Sequence, residues 1–228
     1  MYNPAAFRED RAEVLERLIA DYPLAALVTW GTRGLDATHL PMLYFSEDGV
    51  LRGHVARANP QWREYEGGSE ALAIFSGPQH YVTPNWYPSK QEHGKVVPTW
   101  NYVIVHARGT LSFHHDPQWL GGLVSVLTDA QERSSPAPWR VADAPADFIE
   151  NQLRAIVGVE MKISSLEGKW KLSQNRSEAD HEGVIAGLAS LDSSDAQQMV
   201  RTMAPTSPSR PPRQTTRRCP TEGNLLNR

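Results

Sequence analysis

The feature that most constrains the fold is the regular alternation of side chains over residues 96–113. Aliphatic residues dominate one parity, whereas the other carries aromatic and basic residues such as Trp100, Tyr102, His106 and Arg108. A period of two residues is typical of a β-strand, so the segment predicts one long strand with an aliphatic face against the core. The other face suits a ligand wall or a subunit interface, and solvent exposure fits the pattern equally well. The predicted core face consists of Val97, Thr99, Val103, Val105, Ala107, Leu111 and Phe113.

Shorter apolar runs predict the rest of a sheet around this strand. Residues 24–30, 36–45 and 49–55 follow one another with turn-forming residues between them, which is the spacing of an antiparallel meander. Further strands are predicted over residues 71–76 and 155–164, and helices over residues 8–21, 60–65, 116–128, 147–154 and 177–191. The pattern therefore predicts a mainly β fold with flanking helices.

The chain is long enough to bury one substantial core, and its end differs in composition from its body. At 228 residues we expect one domain over residues 1–191, the end of the C-terminal helix over residues 192–203, and a disordered Arg/Pro/Thr-rich tail over residues 204–228. The single cysteine, Cys219, fits a reducing compartment. Since no apolar run approaches the roughly 18 residues of a membrane span, we expect a cytoplasmic protein without a membrane segment.

The charge is unevenly distributed and limits the classes of partner. The chain from Met199 onward contains six arginines and a single acidic residue, Glu222. The residues before Met199 therefore carry a more negative net charge than the overall value of −3. An acidic body argues against broad contact with nucleic-acid phosphates, and no helix-turn-helix is evident, so DNA binding is possible but unsupported. A nucleophile elbow, a catalytic-cysteine arrangement and a Gly-rich dinucleotide loop are also not evident, which disfavours hydrolase and Rossmann-type functions.

The junction over residues 51–62 is the best sequence candidate for an anion site. A short apolar run ends at Arg57 and is followed by Asn59 and Pro60, which are preferred at the N-cap and the first position of a helix. Helix N-termini offer free N–H groups and a partial positive charge, so a phosphate would suit this point. Most such caps merely begin a helix, and that reading stays open.

Polar and aromatic residues also crowd into three otherwise apolar segments, residues 38–42, 75–87 and 167–176. A barrel does not need them. A flavin mononucleotide (FMN) site would, because the phosphate needs cations and N–H donors, the ring needs flat apolar walls, and the pyrimidine edge needs hydrogen-bonding groups.

These segments resemble a known family. MYNPAAF, HLPM, GHVARANPQW, FSGPQHYVTPNWY, VPTWNYVIVHARG and EGKWKLSQNR resemble, in order, the motifs of the PaiB-type family of FMN-binding negative transcriptional regulators, over residues 1–191. The resemblance implies an FMN-binding split β-barrel, related to pyridoxamine-phosphate oxidases and flavin reductases. It also implies a homodimer with two FMN sites at the subunit interface, and in relatives repression of sporulation and degradative-enzyme genes.

The location of the flavin in such barrels implies a set of site residues. Around the phosphate, at the end of one strand and in the following turn, it suggests Arg57, Ala58 and Asn59, with His54 and Val55 on the strand behind. Along the ring on the neighbouring strand it suggests Thr38, His39, Leu40 and Pro41, and to close the site Lys171, Gln174 and Asn175. It assigns no catalytic residue and no metal.

Alternatives to these assignments remain open at the level of sequence. His39 and His54 could be strand histidines bonded to carbonyls, and His114 with His115 suggests a metal only weakly because adjacent strand residues point to opposite faces. Trp86, Trp100 and Trp170 could be flavin walls or interface aromatics. The chain could be a regulator, a flavin reductase or oxidase, or a barrel that has lost its cofactor, and haem could replace FMN.

Overall fold

The protein is described by a computed structural model over residues 1–32, 34–65 and 68–204. Seven strands run Arg8–Glu9 (β1), Leu24–Gly31 (β2), Gly34–Phe45 (β3), Val50–Ala56 (β4), Glu70–Val82 (β5), Thr99–His114 (β6) and Ile156–Lys171 (β7). Seven helices run Ala12–Asp21 (α1), Gln61–Glu64 (α2), Ser89–His93 (α3), Pro117–Glu132 (α4), Ala146–Arg154 (α5), Glu178–Ala189 (α6) and Ser194–Met203 (α7). The mainly β fold with flanking helices is confirmed; the tail over residues 205–228, with Cys219, lies outside the described residues.

Six of the strands close into an antiparallel barrel. They follow the order β7, β4, β3, β2, β5, β6, and pairing of β6 with β7 joins the two ends. The first part of β7 pairs with β4, while β6 pairs along most of the length of β7. The short β1 adds to β7 opposite Gly168 and Lys169. Closure pairs the backbone of the long strands on both sides, which removes the unpaired edges of an open sheet.

The alternation seen in the sequence sorts the side chains of β6 between the barrel interior and its outer face. Val103, Val105, Ala107 and Leu111 are buried in the core, as predicted. The opposite parity lies on the outer face. The prediction was wrong for Val97, which is 63% exposed because it precedes the start of the strand at Thr99.

A bulge in β5 explains why that strand is longer than predicted. Its pairing with β6 shifts between Ser76 and Gln79, so Gly77 and Pro78 lie opposite the single residue Val103, one extra residue is accommodated, and the strand continues to Val82. Gly77 leaves room there for α1, since a Cβ atom would lie 2.7 Å from the end of the Leu18 side chain. The bulge thus lets α1 pack tightly against the sheet.

Three helical predictions differ clearly from the structure at their ends. Helix α4 continues to Glu132, beyond the predicted end at residue 128. Helix α1 begins at Ala12 and not at residue 8, because Arg8 and Glu9 pair with β7 and the Glu9 carboxylate accepts the backbone N–H of Arg11 at 3.0 Å. Residues 194–203 form a helix of their own and do not continue the preceding one, which ends at Ala189. The Ser193 hydroxyl caps this second helix by accepting the N–H of Ala196. Among the described helices, none is long and apolar enough to cross a membrane.

The seam between β6 and β7 gives a test of the closed barrel. A Cβ atom on Gly109 would lie 2.2 Å from the carbonyl oxygen of Lys162, which is backbone and cannot move aside cheaply. We expect Gly109→Ala to lower the free energy of unfolding by about 1–3 kcal/mol. Urea unfolding measures it, with Gly122→Ala as the control.

Gly122 lies in α4, and a Cβ atom added there would meet no atom of the described residues within 4 Å. Replacing it by alanine is expected to leave stability unchanged or to raise it by about 0.5–1 kcal/mol, because alanine favours a helix. A Gly109→Ala protein as stable as the wild type would contradict the described β6–β7 seam.

Candidate functional site

A cleft of about 660 Å³ lies on the outer face of the barrel, across β2, β3 and β5. In the sheet register Ala26 is the partner of both His39 and Ile74, so these three residues stand side by side on three adjacent strands. We call this the outer-face cleft; it is lined by Tyr22, Pro23, Leu24, Ala26, His39, Pro41, Ile74, Ser76 and Gln131. Its floor is mostly apolar, and its edges carry a hydroxyl, an amide and an imidazole.

The outer-face cleft continues towards β4 under the C-terminal end of α4. This extension, about 330 Å³ in volume, shares Pro41 and Gln131 with the cleft and adds His54 and Trp139. Three of the predicted site residues, His39, Pro41 and His54, are therefore brought together along one continuous surface. The arrangement provides a flat apolar floor with polar edges, which suits a planar heterocycle.

The surroundings of His54 change the proton affinity of its imidazole. The side chain is half-buried on the outer face of β4, opposite Gly158 of β7. Burial lowers the pKa of His54 because the charged imidazolium loses hydration. The neutral form is therefore favoured at the end of the cleft.

At its other end the outer-face cleft passes Ser76 and reaches the outer face of β6. Tyr102 lies there, and its partner in the register of β7 is Lys171. The Lys171 ammonium donates to the Thr99 hydroxyl at 2.5 Å and to the Trp100 carbonyl at 2.6 Å. Lys171 thus borders the far end of the same outer surface.

Three predicted site residues point away from this surface. Leu40 and Val55 are 2% and 5% exposed and belong to the barrel core, so their side chains cannot touch a ligand on the outer face. Thr38 shares the parity of Leu40, and its hydroxyl accepts a hydrogen bond from Asn59 at 2.9 Å. The expectation that neighbouring residues of one strand would all line the ring is corrected by the pleat, which sends successive side chains to opposite faces.

Arg57, the predicted phosphate anchor, makes contacts within the protein. Its guanidinium donates to the carbonyl of Arg154 at 2.7 Å and to that of Ile156 at 2.8 Å. It also lies 3.3 Å from Nδ1 of His115. These bonds join the end of β4 to the α5–β7 junction. A guanidinium has five N–H groups, so two remain after these three contacts.

The residues after Arg57 lead into α2, which begins at Gln61 with Pro60 at the N-cap, one residue later than predicted. The Asn59 side-chain oxygen accepts the N–H of Gln61 at 2.9 Å, while Pro60 precedes the helix. Ala58 is exposed in the turn. Helix α2 has only four residues, so its N-terminus by itself supplies little field for an anion.

Gln174 and Asn175 lie in the turn that follows β7. The Gln174 side chain bridges its own turn, accepting from the Leu172 N–H and donating to the Trp170 carbonyl. Asn175 is exposed. Both residues are close in sequence to Lys171 and lie at the opposite end of the β6–β7 ladder from Arg57.

The two adjacent histidines at the end of β6 have separate surroundings. His114 stacks on Trp119, with ring centroids 4.0 Å apart, and lies 3.7 Å from the Glu160 carboxylate. His115 makes an edge contact with Trp62 at 5.0 Å. Within the described residues no group of three or more His, Cys, Asp or Glu could hold a metal ion.

Sequence reasoning missed much of the lining of the outer-face cleft. Ala26 and Ile74 could have been found by applying the two-residue period to β2 and β5, as was done for β6. Gln131 could not, because its position depends on how α4 packs across the sheet. No local pattern indicates that packing.

Comparisons with known proteins identify the family and agree with the fold. Residues 1–165 match the family model described as "Putative FMN-binding domain". The protease synthase and sporulation protein PAI 2 of Bacillus subtilis is 32% identical over 89% of this chain and 96% of its own. An uncharacterized protein of Emericella nidulans is 34% identical, over 84% and 91% of the two chains.

A solved structure shares the fold. The FAD and haem binding protein from Mycobacterium smegmatis superposes with a TM-score of 0.55 at 17% identity, over 72% of this chain and 73% of that one. The split β-barrel implied by the sequence motifs is confirmed.

The lowered pKa of His54 predicts a pH-dependent stability. The unfolded chain binds the proton more tightly than the folded one, so stability falls as the pH drops below the unfolded value of about 6.5. His54→Gln is expected to reduce this loss, leaving the part due to His106, whose pKa burial also lowers. Urea unfolding at pH 7.5 and about pH 5.5 measures it.

His181→Gln is the matched control, because it removes an imidazole from α6 and leaves the cleft intact. We expect it to keep the wild-type difference between the two pH values. If His54→Gln also kept that difference, the buried environment assigned to His54 would be incorrect.

Proposed function

Since the chain belongs to the PaiB-type family of FMN-binding proteins, we propose that it binds FMN in the outer-face cleft. The observation that carries the proposal is the continuous apolar floor with His39, Pro41 and His54 along it. The flavin ring would lie on Leu24, Ala26 and Ile74, and His39 with Gln131 would meet its polar edge. FMN supplies redox chemistry at the ring when bound, and the chain's residues hold and orient it.

The phosphate would lie towards Arg57, at the end of the strand that carries His54. The two N–H groups left on its guanidinium can donate to an anion while two others hold the α5–β7 junction and one contacts His115. Ala58 and Asn59 would border the same turn. Lys171, Gln174 and Asn175 would bound the far end of the site, beyond Ser76.

A second copy of the chain would cover this face. The hairpin of β2 and β3 exposes large apolar side chains: Leu24 is 60% exposed, Trp30 69% and Leu35 71%. Trp30 and Leu35 are partners in the sheet register, so they form one patch next to the outer-face cleft. Apolar surface of this kind is typical of an interface, which supports a homodimer with the FMN site at the interface.

We further propose that the flavoprotein dimer acts in the cytoplasm as a negative regulator of gene expression. The Bacillus subtilis relative is named for protease synthesis and sporulation. The acidic balance of the chain before Met199 disfavours broad contact with DNA phosphates, so the regulation would be indirect. A flavin-dependent oxidoreductase is the second candidate, and it is favoured by the space that continues beyond Ser76 and would admit a small molecule.

The phosphate anchor predicts a change in flavin preference. The wild type should bind FMN more tightly than riboflavin, because only FMN offers an anion to Arg57. Arg57→Ala should weaken FMN roughly tenfold and leave riboflavin unchanged. Quenching of flavin fluorescence measures both affinities. The comparison is needed because Arg57 also holds two backbone carbonyls, and general damage would weaken both ligands equally.

The position of the ring is tested with the same titrations. Ala26→Phe fills the floor of the outer-face cleft and should abolish binding of both flavins. Ala186→Phe makes the same change on the exposed side of α6 and should have no effect. Unchanged flavin binding by Ala26→Phe would rule out the outer-face cleft as the flavin site.

The proposed interface predicts that charge on the hairpin patch separates the subunits. The double variant Trp30→Asp/Leu35→Asp should be monomeric in sedimentation velocity, because two carboxylates would be buried without partners in the dimer. Phe148→Asp is the control, since Phe148 is 52% exposed on α5, away from this hairpin. A double variant that stays dimeric would place the interface elsewhere.

A further inference from the structure

A second compartment opens beside the outer-face cleft. It has a volume of about 370 Å³, shares Ser76 with the cleft, and is lined by Ser76, Gly77, Gln79, Trp100, Tyr102, Val103 and Ile104. The bulge at Gly77 and Pro78 interrupts the pairing of β5 with β6 at this point. The second compartment therefore lies where the β-bulge interrupts the sheet.

Two aromatic residues form its walls. The Trp100 indole donates its N–H to the Gln79 side-chain oxygen at 3.2 Å and meets Tyr81 edge-on at 6.0 Å, so its plane is fixed. The residue is nevertheless 48% exposed. Tyr102 stands on the same face of β6, two residues further on. A planar ligand can stack against such fixed aromatic surfaces at little entropic cost.

Three positively charged residues, Lys169, Lys171 and Arg176, lie on the β7 side of the aromatic walls. Lys171 is the partner of Tyr102 in the sheet register, and the Lys169 ammonium lies 5.4 Å from the centre of the Tyr102 ring. Arg176 lies over the ring of Tyr87 at 4.9 Å. Burial lowers the pKa of Lys171, and the positive charges of Lys169 and Arg176 lower it further.

Arg176 interacts electrostatically with the Asp180 carboxylate, whereas Lys169 and Lys171 have no ion-pair partner in the part of the chain that the structure describes. The Lys171 ammonium has three N–H groups, and two of them donate to Thr99 and Trp100. The third is left for a ligand. An anion placed there would offset the mutual repulsion of the cations.

We propose that the second compartment binds a small aromatic carboxylate, with its ring between Trp100 and Tyr102 and its carboxylate on Lys171. The shared residue Ser76 places this ligand next to the outer-face cleft. Its role as the substrate or effector of the flavin rests on the proposed function, whereas its binding does not require flavin. The selectivity follows from the pairing of a stacking surface with an uncompensated ammonium.

The test uses benzoate and its neutral isostere benzamide, titrated into the full chain by isothermal calorimetry with and without FMN. Benzoate should bind roughly tenfold more tightly than benzamide. Lys171→Met should remove that preference, Lys171→Arg should retain it, and Trp100→Ala should weaken both ligands. Lys162→Met is the matched control, because Lys162 lies on β7 at the other end from Lys171 and should leave the preference unchanged.

Each other result has a defined meaning. Equal binding of benzoate and benzamide by the wild type, or a preference that survives Lys171→Met, would overturn the proposal. A Lys171→Met protein that loses its preference for FMN over riboflavin would also overturn it, since the cations would then hold the flavin phosphate. Selective benzoate binding by a chain that binds no flavin would support this site and refute the proposed function.

Discussion

The pairing of β6 with β7 is the constraint on which the rest of the structure depends. Both strands are long, and β6 pairs with β5 on one side and β7 on the other. Once this seam closes, every strand has one face in the core and one on the outside, as a barrel requires. The outer-face cleft and the second compartment both lie on the outer side of the strands that this closure orders.

Local features of the fold could be predicted from the sequence because short-range patterns determine them. Alternation identified β6 and its buried side, and turn residues separated β2, β3 and β4. The closing seam could not be predicted, since β6 and β7 are separated by α4 and α5 and their register depends on long-range packing. The extension of β5 past Gly77 was missed for a related reason: a bulge breaks the period by which a strand is found.

The sequence motifs located the candidate site, but they did not distinguish the side chains that face it from those that face the core. His39, Pro41 and His54 lie on one surface, whereas Leu40 and Val55, which belong to the same motifs, fill the core. The two-residue period of a β-strand already separates these two groups of side chains, because successive residues point to opposite faces. The partners of Arg57 were beyond any such rule, because the carbonyls of Arg154 and Ile156 are far away in the chain.

The bulge in β5 links the packing of the first helix to the shape of the second compartment. On one side Gly77 makes room for Leu18 of α1, and on the other it helps to line the second compartment. A substitution at Leu18 that shifts α1 would move the bulge and so reshape the second compartment through Gly77. The ligand preference proposed for Trp100 and Tyr102 would therefore depend on the position of the first helix as well as on the residues that line the second compartment.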